Sequence, residues 1–202
     1  MTELEALYTQ IITCESCGLC KTRIHAVPGE GAENAEIMFV GEGPGFHEDQ
    51  QGRPFIGAAG KFLDELLGSI NLTRADVYIC NVVKCRPPSN RDPSPEEVDA
   101  CRPFLLRQIE LINPALVVTL GRFSLSWFFP GDAIGKVRGS LRQMNGRHYY
   151  HVYHPAAALH NGSLRQVILD DFAKIPMALV KIREDQPVAA ATPASVEQGK
   201  LF

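Results

Sequence analysis

The chain has 202 residues, of which 45% are hydrophobic and 21% charged. That suits one soluble domain with its own core, and a net charge of -3 speaks against a protein built wholly to bind polyanions. No apolar run approaches the about 20 residues of a membrane span, and Met1-Thr2-Glu3-Leu4-Glu5 has no secretory character. A cytoplasmic protein with reduced cysteines is therefore expected.

Ala35–Val40 reads as a short buried strand, ending in the loop Gly41-Glu42-Gly43-Pro44-Gly45. Ala58–Ile70 carries Phe62, Leu63, Leu66, Leu67 and Ile70 at helical spacing. Asp76–Val83 is a second strand, closed by Pro87-Pro88. Ser94, Pro95 and Glu97 mark the start of a helix that runs to about Ile112. Ala115–Leu120 is a third strand, and another helix starts at Gly121. Gly131–Gly146 reads as loops and short strands. Tyr149–Tyr153 is a fourth core strand, followed by His154-Pro155 and a last helix over Ser163–Ile182. Alternating strands and helices predict an α/β sheet covered on both faces. Ligands of such sheets bind at the carboxyl ends of the strands. A domain over residues 1–183 is expected, with a flexible tail over 184–202.

Charge is unevenly spread. Residues 1–75 hold 5 basic and 11 acidic side chains, residues 76–150 hold 10 and 7, and residues 151–202 hold 5 and 5. The middle is thus net +3, enough for a local phosphate-binding face.

Cys14 and Cys17 form a C-x2-C pair, with Cys20 three residues on. Cys85 and Cys101 lie far away in sequence. Thiolates so spaced grip a soft metal centre, and zinc or an iron–sulfur cluster would both accept four of them. Cys80, between apolar strand neighbours, reads as a core residue.

The glycine-rich loop exposes backbone N–H groups to a ligand. It lacks the lysine of a phosphate-binding loop and the third glycine of a dinucleotide loop. Phe55 is either a stacking platform for a planar ligand or a core plug. Asn81 is polar in an apolar strand and needs a partner, ligand or backbone. His154 is held extended by Pro155 at a strand end.

Together these residues resemble the family 4, iron–sulfur uracil-DNA glycosylases. The matching pieces run in family order: Cys14-x-x-Cys17, Gly41–Gly45, Glu48-Asp49-x-x-Gly52-Arg53-Pro54-Phe55, Asn81–Pro88, Asn90-Arg91, Cys101 and His154-Pro155-Ala156. The resemblance implies a three-layer α/β/α fold with a central four-stranded parallel sheet. It implies a 4Fe–4S cluster on Cys14, Cys17, Cys85 and Cys101, leaving out Cys20 and Cys80. Uracil-containing DNA is the implied partner, and a monomer is expected. Phe55 would stack on flipped uracil, Asn81 would read its polar edge, and His154 would stabilise charge on its O2. Gly41, Gly43 and Gly45 would lie against the deoxyribose, with Asn90 in the pocket. Arg86 and Arg91 would meet the backbone, and Ala158 and Leu159 would enter the minor groove.

There are departures. Gly43 stands where some relatives have a water-holding Asp or Asn, which leaves Glu42 and Glu48 as candidates. Gly45 stands where some have a tyrosine that blocks the thymine methyl, a task then expected of Glu48. His160 replaces a common arginine. The end, Gln198-Gly199-Lys200-Leu201-Phe202, resembles the Gln-x-x-Leu-Phe peptide of sliding-clamp partners, with Gln198, Leu201 and Phe202 as its anchors.

Overall fold

The computed structural model describes residues 1–185. Of the tail expected over 184–202, Glu184 and Asp185 close the last helix; the rest, with the Gln198–Phe202 peptide, lies outside the described residues.

Helix α1 (Glu3–Ile12) begins at a capping box in which Glu5 N–H donates to Thr2 Oγ1 and Thr2 N–H to Glu5 Oε2. The short β1 (Glu30–Gly31) precedes β2 (Ile37–Gly41), α2 (Phe46–Gln51) and α3 (Ala58–Ser69). Next come β3 (Tyr78–Asn81), α4 (Pro95–Ile112), β4 (Leu116–Leu120), α5 (Gly121–Phe128) and α6 (Ile134–Val137). The hairpin β5 (Leu141–Met144) and β6 (Arg147–Val152) leads to α7 (Pro155–His160), α8 (Leu164–Phe172) and α9 (Ile175–Asp185).

The sheet order is β1-β3-β2-β4-β6-β5. The central β3-β2-β4-β6 are parallel, and β1 and β5 add antiparallel edges. The expected four-stranded parallel sheet is therefore the centre of a six-stranded mixed sheet. Both edge strands are too short to show a period-two pattern.

Successive strand residues point to opposite faces, and this divides the core in two. Met38, Val40, Tyr78, Cys80 and Val117 pack against α1, α4 and α5 through Leu4, Leu7, Ile11, Leu105, Ile109 and Leu125. Ile37, Phe39, Ile79, Val118 and Val152 pack against α3, α8 and α9 through Phe62, Leu63, Leu66, Ile168, Phe172 and Ile182. Each such side chain is worth about 1.5–3 kcal/mol on burial, so both helical layers are firmly attached.

The last predicted helix is two helices. Pro176 lies at the second position of α9, where it needs no N–H. In a continuous helix it would lose the bond to the carbonyl of Phe172 and clash with it. The break at Ala173-Lys174 avoids both penalties.

Candidate active site and thiol cluster

The segments after β2, β3 and β6 meet over the carboxyl ends of the parallel strands. They enclose a cavity of about 450 Å³. Glu42, Gly43, Gly45, Glu48, Phe55, Asn81, Asn90, Arg91 and His154 all line it. Sequence positions more than a hundred residues apart thus converge on one site.

Two backbones approach site residues closely. The parallel register pairs Gly41 with Asn81. A Cβ on Gly41 would strike Asn81 Oδ1 and lie 2.6 Å from Phe55 Cζ. At the end of β4, Gly121 has φ +88, and a Cβ there would lie 2.8 Å from His154 Cβ. Only glycine meets both demands.

Asn81 is buried, and its Oδ1 has no hydrogen-bond partner among the described residues. A buried acceptor without a partner, on a residue that lines a cavity, calls for a donor from whatever fills it. Its backbone carbonyl accepts from Lys84 Nζ at 2.6 Å, and Lys84 also donates to Gln108 Oε1 at 2.6 Å. Gln108 donates in turn to Pro28 O and to Tyr78 Oη.

His154 caps α7. Its Nδ1 accepts the Ala156 N–H at 3.1 Å. Burial pushes the imidazole down to about 4, so at neutral pH the ring is uncharged. With Nδ1 an acceptor, its proton sits on Nε2. The Phe55 ring stacks beside it, with centroids 5.5 Å apart and planes 29° from parallel. Phe55 itself has φ 53, an uncommon conformation for a bulky residue. Arg74 holds it there, donating to the carbonyls of Pro54 and Phe55 while pairing with Glu30 and Asp64.

The two glutamates differ. Glu48 accepts from the backbone N–H groups of Gly45, Ile56 and Gly57 at 3.1, 2.9 and 2.9 Å. It ties the glycine-rich loop to the Phe55 loop. Glu42 lines the cavity with its carboxyl raised by burial and then by Asp92, against the pull of Arg122.

The expected DNA contacts are unequal. Arg91 makes a two-pronged pair with Glu97 at 2.7 and 2.8 Å. Arg122 pairs with Asp92 at 2.6 Å. Arg86 instead donates through Nε to Asn90 Oδ1 at 2.7 Å. Leu159 is half exposed on α7, beside the partly buried Ala158.

Cys85 and Cys101 are buried in one apolar cluster, and Cys17 packs against it. Cys101 lies in the electrostatic field of Cys17 and Cys14, and Cys85 in that of Cys101 and Cys17. Arg23 donates to Cys85 Sγ at 3.1 Å and to the Ile12 carbonyl at 2.8 Å. Cysteine thiols gathered about one guanidinium suit a soft metal centre. Among the described residues, no three His, Cys, Asp or Glu side chains close tightly enough to hold a single metal ion. Cys80 is buried in β3.

Comparison with known proteins accounts for this arrangement. The family model described as "Uracil DNA glycosylase superfamily" matches residues 28–174. The type-4 uracil-DNA glycosylase of Saccharolobus solfataricus is 48% identical over 189 residues, covering 89% of this chain and 88% of that one. Those of Archaeoglobus fulgidus and Thermotoga maritima are 47% and 48% identical, over 87% and 85% of this chain and 92% of each of theirs.

The chain belongs to the uracil-DNA glycosylase superfamily.

In this superfamily member several positioning residues were not legible beforehand. Arg74 supports Phe55 from outside the motifs, and no local signal marks it. Lys84 and Gln108 lie within or near the motifs, yet a lysine between apolar and cysteine neighbours reads as surface. The charge on Glu97 that captures Arg91 was visible only as part of a capping box.

Proposed function

We propose that the chain is a monofunctional uracil-DNA glycosylase of base excision repair. It extrudes uracil from DNA, hydrolyses the N-glycosidic bond, and leaves free uracil and an abasic site. The observation that carries this reading is the unpartnered Asn81 Oδ1, on a residue lining a cavity that Phe55 and a neutral His154 also line. Uracil presents an N3–H donor beside its O4 acceptor, the complement of an amide. Cytosine presents an acceptor at N3, which would face Asn81 Oδ1 unfavourably. Phe55 supplies a face for the ring.

Extrusion costs a few kcal/mol, and Leu159 fills the vacated space. As the C1′–N1 bond breaks, negative charge grows on uracil O2, and His154 Nε2–H donates to it. A donor so placed is worth roughly 10²–10³-fold in rate. Glu42 orients the attacking water, because its carboxyl is free of the backbone bonds that occupy Glu48. Glu48 fixes the walls near uracil C5 and so excludes the thymine methyl. Among the described residues the cavity lining offers no lysine, and the reaction is read as hydrolysis without a Schiff base, hence without strand cleavage.

Cys14, Cys17, Cys85 and Cys101 would hold a 4Fe–4S cluster. When bound, the cluster cross-links the segment after α1 to the loop after β3 and to α4. Arg23 offsets part of its negative charge. Anaerobically purified protein should be brown, with about four iron per chain; colourless protein with one zinc would refute the assignment.

The segment after Asp185 is read as a tail that presents Gln198, Leu201 and Phe202 to a sliding clamp, with the two apolar side chains as anchors. Clamp pull-down should be lost when residues 198–202 are deleted. Release of free uracil from an oligonucleotide with a single uracil tests the whole reading. An active protein yields uracil and an alkali-labile abasic site, whereas a binding module yields neither.

A further inference from the structure

Phe46 is the first residue of α2 and follows Gly45, which lines the cavity. It is 51% exposed. The Arg86 guanidinium lies over the ring, its carbon 5.2 Å from the centroid. Arg86 Nε is bonded to Asn90 Oδ1, and Asn90 lines the cavity. An aromatic ring, a guanidinium plane and an amide thus run from the outer surface to the mouth of the pocket.

Arg86 also differs from its neighbours in charge. Arg91 and Arg122 are neutralised by Glu97 and Asp92. No carboxylate pairs with Arg86 among the described residues. Stacking on Phe46 fixes its plane and leaves its Nη edge open to an anion.

We propose that Phe46 and Arg86 form a second binding element, which takes the nucleotide next to the extruded uracil in single-stranded DNA. The neighbouring base stacks on Phe46, and Arg86 bonds the phosphate between the two nucleotides. This rests on the glycosylase reading above. Base–aromatic stacking is worth roughly 1–3 kcal/mol and tolerates any base. A neighbour in a duplex is already stacked on both sides and gains little from Phe46. A neighbour in a single strand gains the full contact, so the element biases the enzyme towards single strands.

The test measures kcat and KM for single-uracil oligonucleotides, single-stranded and duplex, in the wild type and in Phe46→Ala, Phe46→Trp and Arg86→Gln. Thermal unfolding checks that each variant is folded. Phe46→Ala should raise KM on single strands about tenfold and lower the single-strand-to-duplex ratio of kcat/KM to match. Phe46→Trp should restore the ratio. Arg86→Gln should raise KM and flatten its rise with salt. An unchanged ratio in Phe46→Ala, or equal loss on both substrates, overturns the proposal while leaving the glycosylase reading intact. A wild type that releases no uracil overturns both.

Discussion

Lys84 Nζ donates to the backbone carbonyl of Asn81 across 2.6 Å. The lysine is 1% exposed, so this is a buried strut behind the residue that faces the cavity. Replacement by methionine leaves the Asn81 carbonyl and Gln108 Oε1 without their donor. Each orphaned buried acceptor costs about 1–3 kcal/mol. Lys84→Met should therefore lower the urea midpoint and also reduce kcat/KM for uracil release. Normal turnover in a destabilised variant would show that the strut does not position Asn81.

Asn81→Ala and His154→Ala should each lower kcat by roughly 10²–10³-fold while circular dichroism stays native. Near-normal turnover in either variant removes that residue from the active-site assignment.

The two glutamates should separate by phenotype. Glu48→Ala strips three backbone N–H groups of their acceptor, so both stability and KM should suffer, the former by about 1–3 kcal/mol. Glu42→Gln should lower kcat with the melting temperature unchanged. The reverse pattern would exchange their roles.

Stability should depend on pH through two histidines. Burial pushes both His154 and His151 from 6.5 down to about 4. Between those values the unfolded chain binds protons that the folded chain does not. Stability therefore rises with pH over that window and is lost as pH falls from about 6.5 to 4. Urea midpoints measured from pH 4 to 8 should show this slope, and a His151→Asn, His154→Asn double variant should flatten it. An unaltered slope would assign the dependence to other groups.

Leu159→Ala should impair uracil release from duplex more than from single strands, because only a duplex leaves a gap to fill. Equal effects on both would remove Leu159 from the wedge role.

Much of this architecture was legible in the sequence. Apolar strands such as Leu116–Leu120 carry enough pattern to be found, and capping signals placed α4 within a residue. The edge strand β5 was foreseen only as one of the short strands within Gly131–Gly146, although Asn145-Gly146 with φ 52 and 75 forms the tight turn that pairs it with β6. The box Thr2-x-x-Glu5 announced α1 in the same quiet way. Gathering the site was beyond spacing: the approach of Gly121 to His154 depends on how β4 and β6 end side by side. Which cations are free also required the fold, because Arg86 and Arg91 look alike until Glu97 is seen to hold one of them.

The pairing of Gly41 with Asn81 in the β2–β3 ladder has a consequence for how this enzyme can change. On the proposed reading, the amide that reads the base belongs to the central sheet, so its orientation is set by the β2–β3 ladder, in the part of a domain that opens last. A one-residue slip would turn Asn81 to the opposite face. New base preferences are thus accessible by exchanging the side chain at 81, not by loosening its support. Strand preference and sequence context sit on loops and short helices, where substitution is inexpensive. Evolution can retune where this protein acts far more readily than what it removes.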